Sequence, residues 1–114
     1  MGRKELVQWR EAINPYVEGL GKFGDAAQRA PDLTVQTEVT QTFYIGALSM
    51  LKLLGQIDPP PEASLAHVKL VQTWAYMADG FGKLSEGESA AGLAQLAIGL
   101  AIFNEFSAEL DKLL

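Results

Sequence analysis

The 114-residue sequence contains no cysteine and only one histidine. Without cysteine the chain forms no disulfide or thiolate site, and it lacks the Cys-x-x-Cys-His motif that attaches haem covalently. The absence leaves the compartment open, because reducing and oxidising environments both tolerate a chain without cysteine. Di-metal carboxylate bundles need Glu-x-x-His motifs on two helices, and this sequence has none. We therefore expect no metal site.

Positive charge is also scarce. Nine Lys and Arg residues stand against fourteen Asp and Glu, which gives a formal net charge of −5. Proteins that bind DNA or RNA cluster basic side chains against the phosphates. We therefore expect no nucleic-acid partner.

Long apolar runs are missing as well. A transmembrane helix needs about 20 consecutive, predominantly apolar residues, and no uninterrupted run of that length is present. The first twenty residues carry charges where a signal peptide would have its apolar core, at Arg3, Lys4, Glu5, Arg10 and Glu11. We expect a soluble chain with no transmembrane segment. It could be cytoplasmic or an extracytoplasmic fragment after signal removal, so the localisation remains open.

Proline, glycine and capping residues cluster at 30–32, 55–61 and 83–88. Such clusters end one helix and start the next. Asp32 and Asp58 are predicted N-caps, and Ser85 with Glu88 has the spacing of a capping box. The breaks divide the chain into four helical segments of similar length. A length of 114 residues fits one domain, so we predict a single domain over 1–114.

Within each segment, apolar residues recur every three or four positions, which is the spacing of one face of an α-helix. The first two predicted buried faces are Leu6, Trp9, Ile13, Tyr16, Leu20, Phe23 and Ala27, and Val39, Phe43, Gly46, Met50, Leu53 and Ile57. The other two are His67, Leu70, Trp74, Met77, Phe81 and Leu84, and Leu93, Leu96, Leu100, Phe103, Ser107, Leu110 and Leu114. This pattern predicts an all-α fold, an antiparallel up-down four-helix bundle with short loops.

Two details of the bundle follow from the first helix. Pro15 removes one helical hydrogen bond and clashes with the carbonyl four residues earlier, so we expect one continuous helix with a kink near Pro15. Folding the segments about their breaks places Gly46 opposite Tyr16, where the glycine would leave room for the ring.

The fourth segment has no charged residue between Glu88 and Glu105. One buried face does not require so much apolar surface, and the second segment is nearly as apolar. Either these two helices pack closely on both neighbours through small residues, or they expose a patch that another surface covers. The residues off the buried faces, which form the candidate interface, are Tyr44, Leu48, Leu51, Ala94, Ile98 and Ile102.

Catalytic and cofactor motifs are absent. His67 is placed opposite Met50, and these are ligand types for haem in a bundle core. Because Ile13 and Phe103 fill the same layer, a partly exposed histidine in the first turn of the third helix is the favoured interpretation. The Gly-x-Gly-x-x-Gly spacing at 19–24 follows a helical pattern and no strand, so it fails as a dinucleotide motif. We predict no enzyme, no catalytic residue and no cofactor.

The leading hypothesis is a non-enzymatic interaction or structural module that self-associates, as a homodimer, through its second and fourth helices. One alternative is an acidic protein that binds a macromolecular protein partner, as immunity proteins and antitoxins do. The other is a bundle that binds a hydrophobic small molecule, with space opening at Gly46, Gly92 and Gly99. The outline is similar to many small bacterial helical bundles, which is a likeness of fold alone.

Overall fold

The computed structural model describes residues 3–33 and 36–113. Its elements, in chain order, are α1 Arg3–Gln28, α2 Ala30–Leu33, α3 Thr37–Leu54, a 3₁₀ turn Pro61–Ala63, α4 Ser64–Ser85 and α5 Ser89–Leu113. No strand occurs within these ranges, and neighbouring helices pack against one another. The prediction of an all-α fold is confirmed. The first, second, third and fourth predicted helices correspond to α1, α3, α4 and α5, while α2 was not predicted.

The helices begin at other residues than the predicted N-caps. Asp32 lies inside α2, because that short helix begins at Ala30 and accommodates Pro31 in its first turn. Asp58 precedes a proline run that keeps the chain extended at Pro60, and α4 begins only at Ser64. Both N-cap predictions are wrong.

The turn between α4 and α5 depends on Gly87. This glycine has a φ of 85°, in the left-handed region that side chains disfavour. The Glu88 amide donates to the Lys83 carbonyl at 2.9 Å and the Gly87 amide to the Leu84 carbonyl at 3.1 Å. This is the Schellman arrangement that ends a helix. Ser85 belongs to the last turn of α4, so the predicted Ser85–Glu88 capping box is wrong.

Four aromatic rings form the centre of the core between α1, α3 and α4. The Phe23 ring lies 4.9 Å from that of Trp74 and 5.2 Å from that of Phe43, both in edge-to-face geometry. Phe81 stacks on Phe43 at 5.1 Å. Such aromatic pairs contribute about 0.5 to 1.5 kcal/mol each beyond the area they bury.

This cluster corrects the predicted alignment of α1 with α3. A Cβ added at Gly46 would lie 3.0 Å from the tip of the Phe23 ring, so the glycine makes room for Phe23. The prediction that it makes room for Tyr16 is wrong.

The buried face of α4 follows the prediction. All six of its predicted residues are buried, including Leu70, Met77 and Leu84. On α1, Trp9, Ile13, Leu20 and Ala27 are buried as predicted. Pro15 lies within α1, which continues as one helix to Gln28.

The buried face of α3 is rotated from the prediction. Its buried residues are Thr40, Ala47 and Leu54, whereas Leu53 is 50% exposed. Small residues make this face inconspicuous in a hydrophobic pattern, because the Thr40 hydroxyl and the Ala47 methyl carry little apolar area. Thr40 is satisfied locally, since its hydroxyl donates to the Thr37 carbonyl at 3.0 Å.

Glycines set the distance between α4 and α5. A Cβ added at Gly80 would lie 2.6 Å from Leu96 Cγ, and one added at Gly92 would lie 2.8 Å from the Gly80 carbonyl oxygen. The buried residues of α5 are Gly92, Leu96, Gly99 and Phe106. The predicted face therefore missed both glycines and Phe106.

The contacts between α4 and α5 run in opposite chain order. Gly80 meets Gly92 and Leu96, whereas Lys69, earlier on α4, pairs with Glu105, later on α5. The described part of the chain extends over 50 × 22 × 17 Å. These dimensions describe an elongated molecule whose long sides are helix surfaces.

Candidate functional site

One face of α4 points away from the aromatic core. Leu65, Val68, Gln72 and Asp79 recur at spacings of three, four and seven residues, which places them along one side of the helix. The buried residues of α4 follow the opposite side, where Leu70, Trp74 and Phe81 meet the core. The outward side of α4 is therefore the centre of a surface that α3 and α5 border.

Tyr44 lies where α3 borders this surface. A Cβ added at Gly82 would lie 2.9 Å from the Tyr44 ring, and Tyr44 lines a small cleft together with Asp79 and Lys83. Leu48 lies one helical turn further along α3 on the same side. The ring of Tyr44 thus covers α4, and Leu48 follows it at the border of the surface.

Gln95 lies where α5 forms the opposite border of this surface. Its side-chain amide donates to the Asp79 carboxylate. Ile98 and Ile102 follow at spacings of three and seven residues, so they lie on the same side of α5 as Gln95. The outward side of α4 therefore lies between Leu48 of α3 and Ile98 of α5.

We call the apolar residues of this surface the outward face: Leu48, Leu65, Val68 and Ile98. Their exposed fractions are 40%, 54%, 48% and 41%, respectively. Among the described residues, the other large apolar side chains that are exposed are Val7, Ile45 and Leu53. Val7 lies on α1 and Leu53 on another side of α3, whereas Ile45 lies one turn before Leu48, at the edge of the outward face. The large exposed apolar side chains of α4 and α5 thus belong to one surface.

The structure places the six predicted interface residues differently with respect to solvent. Leu48, Ala94 and Ile98 are exposed, whereas Tyr44, Leu51 and Ile102 are half-buried. Tyr44 and Leu51 pack against the core, so a partner could contact only their outer edges. The interface itself stays a prediction.

Sequence reasoning missed Leu65 and Val68. Both lie off the predicted buried face of the third helix. Their spacing of three residues places them on one side of that helix, and this pattern could have identified an exposed apolar surface there. They are inconspicuous because the third predicted helix carries more polar residues around its circumference than the second and fourth.

Two ion pairs lie at the border of the outward face, and the Glu86 side chain lines the same cleft as Asp79 and Lys83. Lys83 Nζ lies 2.8 Å from Asp79 Oδ1, and Lys69 Nζ lies 2.6 Å from Glu105 Oε1. The hydrogen bonds from Lys83 and from Gln95 lower the pKa of Asp79 below its ordinary value. The carboxylate therefore stays ionised at neutral pH, and Lys83 and Lys69 each offset one carboxylate at this border.

A second polar arrangement lies inside the molecule, between α1 and α4. The indole Nε1–H of Trp9 donates to Nδ1 of His67 at 3.0 Å, and His67 is 7% exposed. The prediction of a partly exposed His67 is wrong, because Trp9 from another helix covers the ring and supplies its hydrogen-bond partner. Predicted layers placed Ile13 beside His67, one turn away from Trp9.

The surroundings of His67 favour its neutral form. Burial lowers the pKa of His67, while the nearby Asp58 carboxylate and a hydrogen bond with the Leu54 main chain raise it, with a net lowering. Because Nδ1 accepts from Trp9, the nitrogen that donates to the Leu54 carbonyl is Nε2, so the ring is the Nε2–H tautomer. His67 thereby connects α4 to α1 and to the end of α3.

The other tryptophan contrasts with Trp9. Trp74 is fully buried, and its Nε1–H has no hydrogen-bond partner within the described part of the chain. A buried donor without a partner costs about 1 to 3 kcal/mol. The two indoles of this chain therefore differ in what their N–H groups contribute to stability.

This contrast gives a test of the Trp9–His67 bond. Trp9→Phe should lower the free energy of unfolding by about 1 to 3 kcal/mol beyond its packing loss, because it leaves His67 Nδ1 unpaired. Trp74→Phe is the matched control, since it removes similar ring volume together with an unpaired donor. Urea unfolding at pH 7.5 should give a clearly larger loss for Trp9→Phe. Equal losses would contradict the role assigned to the bond.

The positions predicted to open a ligand pocket are filled. Phe23 occupies the space at Gly46, Leu84 and the Gly80 carbonyl occupy that at Gly92, and the Tyr76 and Met77 side chains lie against Gly99. The prediction of space at these glycines is wrong, because the glycines serve close packing instead.

No group of three or more His, Cys, Asp or Glu side chains that could hold a metal occurs in residues 3–33 and 36–113. Within the same residues α5 is the one helix long and apolar enough, by length and composition alone, to cross a membrane. The absence of a transmembrane segment therefore stays a prediction.

No family model, curated protein or solved structure matches this chain.

Proposed function

We propose that this chain is a non-enzymatic helical module that forms a homodimer, and that the outward face is where two copies meet. In this proposal the four long helices form an antiparallel up-down bundle, with α1 kinked near Pro15. The dimer places α3, α4 and α5 of one copy against the same helices of the second copy. The observation that carries the proposal is the set of exposed apolar side chains on that face, Leu48, Leu65, Val68 and Ile98.

The size of this surface is compatible with a stable interface. Three helices side by side, with axes about 8 to 10 Å apart, present a surface about 20 to 25 Å wide. Over about 20 residues at 1.5 Å each, its length is about 30 Å. The resulting area of about 600 to 750 Å² is close to the roughly 800 Å² per partner of standard-size interfaces.

The ion pairs at the border reduce the charge repulsion between two copies. A two-fold dimer brings identical surfaces together, so an unbalanced charge on the face would repel itself. The ion pairs Asp79–Lys83 and Lys69–Glu105 offset two carboxylates on this face, although the chain as a whole carries −5. The acidic character of the chain therefore opposes association through this face less than its net charge alone would indicate.

Substitution of Leu48 and Ile98 tests the proposal. The double variant Leu48→Asp/Ile98→Asp should be monomeric, with a dimer dissociation constant raised at least about a hundredfold, because a carboxylate without a partner is costly to bury. Both side chains are already exposed, so the variant should stay folded. Sedimentation velocity gives the mass, and far-ultraviolet circular dichroism checks the fold.

Leu53→Asp is the control for this experiment. It makes the same change on the same helix, at a side chain that is similarly exposed but lies about 140° around α3 from Leu48. It should leave the dimer intact. An unchanged mass for the double variant would contradict the proposal, as would dissociation by Leu53→Asp to the same extent.

A further inference from the structure

The N-terminal half of α1 is held to the rest of the molecule differently from the other helices. Glycines bring the backbones of α4 and α5 together, as at Gly80 and Gly92. By contrast, Trp9 and Ile13 are the only buried side chains of α1 before Leu20. One of these two, Trp9, makes a side-chain hydrogen bond to His67 on α4.

That bond requires a neutral imidazole. Nδ1 of His67 can accept the Trp9 N–H only while it carries no proton, and a protonated ring has donors at both nitrogens. Two donors would then face each other across the present 3.0 Å. This contact would then change from attractive to repulsive, and the apolar contacts of Leu6 and Ile13 would have to hold this part of α1 against it.

We propose that the Trp9–His67 hydrogen bond is a pH-sensitive latch, and that protonation of His67 releases the N-terminal half of α1 from α4. The release exposes the Trp9 indole and the apolar residues that α1 covers. This inference concerns a different part of the molecule from the outward face and does not depend on the proposed dimer.

The charged groups near the latch are few. Asp58, in the loop before α4, is the charged side chain that acts on the imidazole, and it favours protonation. Glu5 of α1 lines the same cleft as Asp58. Among the described residues, α3 contributes the Leu54 main chain and α5 contributes no charged group that acts on the ring. On α4, Leu70 and Val71, one turn after His67, are apolar, and Ser64, one turn before it, carries no charge.

The direction of the pH effect follows from the burial of the ring. Burial lowers the pKa of His67 in the folded protein below the ordinary value of 6.5. The unfolded or opened chain therefore binds the proton more readily than the closed one. The latch contributes fully above pH 6.5, and its contribution is lost as the pH falls below 6.5 toward the lowered value.

Amide hydrogen exchange measured by mass spectrometry tests the latch. On lowering the pH from about 7.5 to about 5, after correction for the intrinsic exchange rate, protection of peptides from residues 3–14 should fall at least about tenfold relative to peptides from α5. His67 is the only histidine, so its imidazole signal in an NMR titration is unambiguous. The midpoint of that titration should coincide with the loss of protection. Separate midpoints would overturn the proposal.

His67→Gln is the decisive variant. A glutamine offers one acceptor to Trp9 and one donor to Leu54, but it does not titrate in this range. Its α1 peptides should keep their protection at the lower pH. If they lose protection as the wild type does, carboxylates or other groups cause the change and the latch is refuted.

Trp9→Phe keeps the test decisive if the glutamine variant does not fold. Without the indole N–H, protonating Nδ1 no longer breaks a bond, so the His67 titration midpoint should rise by at least about half a pH unit. The variant should also show reduced protection of residues 10–14 already at the higher pH. An unchanged midpoint would show that Trp9 does not control the protonation of His67.

Discussion

Replacing Phe81 with alanine is expected to lower the free energy of unfolding by about 3 to 5 kcal/mol, the usual range for removing a buried phenylalanine ring. Phe81 is fully buried and stacks on Phe43, with Phe23 at 6.4 Å on its edge. All three rings come from different helices, so the cavity would be bounded by α1, α3 and α4. A loss of this size is a large part of the total stability of a chain of this length. Urea unfolding followed by circular dichroism measures it.

Ile45→Ala provides the comparison. Ile45 lies on the exposed side of α3, one turn from the outward face, and its truncation should change stability by no more than about 0.5 kcal/mol. A small loss for Phe81→Ala, or similar losses for both variants, would contradict the position of the aromatic core.

Replacing Gly92 with alanine is expected to destabilise the protein by about 2 kcal/mol. The added methyl group would meet the Gly80 carbonyl oxygen at 2.8 Å and Leu84 Cδ2 at 2.9 Å. The backbone oxygen cannot move without displacing α4, so we expect a cost of about 3 kcal/mol, at the upper end for overpacking. The better helix propensity of alanine offsets about 1 kcal/mol of this cost.

Gly21→Ala isolates the propensity contribution. Gly21 lies in the interior of α1, and a Cβ added there meets no atom within 4 Å. The variant should therefore be more stable by about 0.5 to 1 kcal/mol. If Gly92→Ala also gained stability, α4 and α5 would not be in the close contact described.

Large apolar residues are what allowed the sequence to predict the buried sides of α1 and α4. On these helices Trp9, Ile13, Leu70 and Phe81 face the core, and their spacing is visible without any structure. On α5 the closest contacts belong to Gly92 and Gly99, which have no side chain and therefore add nothing to a hydrophobic pattern. The uncharged residues of α5 lie in two different environments. Its glycines pack against α4, whereas alanines such as Ala94 and Ala97 are exposed.

The sequence did not predict which side chains pair between helices or where the helices end. The pairing of Trp9 with His67 joins residues on separate helices, and a shift of one turn in the predicted alignment was enough to hide it. The helix ends depended on backbone conformation, because Gly87 ends α4 by adopting a positive φ where the sequence also permitted a capping box at Ser85. The interface candidates on α3 and α5 could be proposed from periodicity, but their exposure depended on how the helices are rotated.

The most direct test of the proposed homodimer is the solution mass of the unmodified chain, measured by light scattering over a concentration series. We expect a mass of twice the 12.3 kDa chain at high concentration, falling toward the chain mass on dilution. A mass of 12.3 kDa at every concentration would contradict it, and Leu48, Leu65, Val68 and Ile98 would then be a surface that a second copy does not cover.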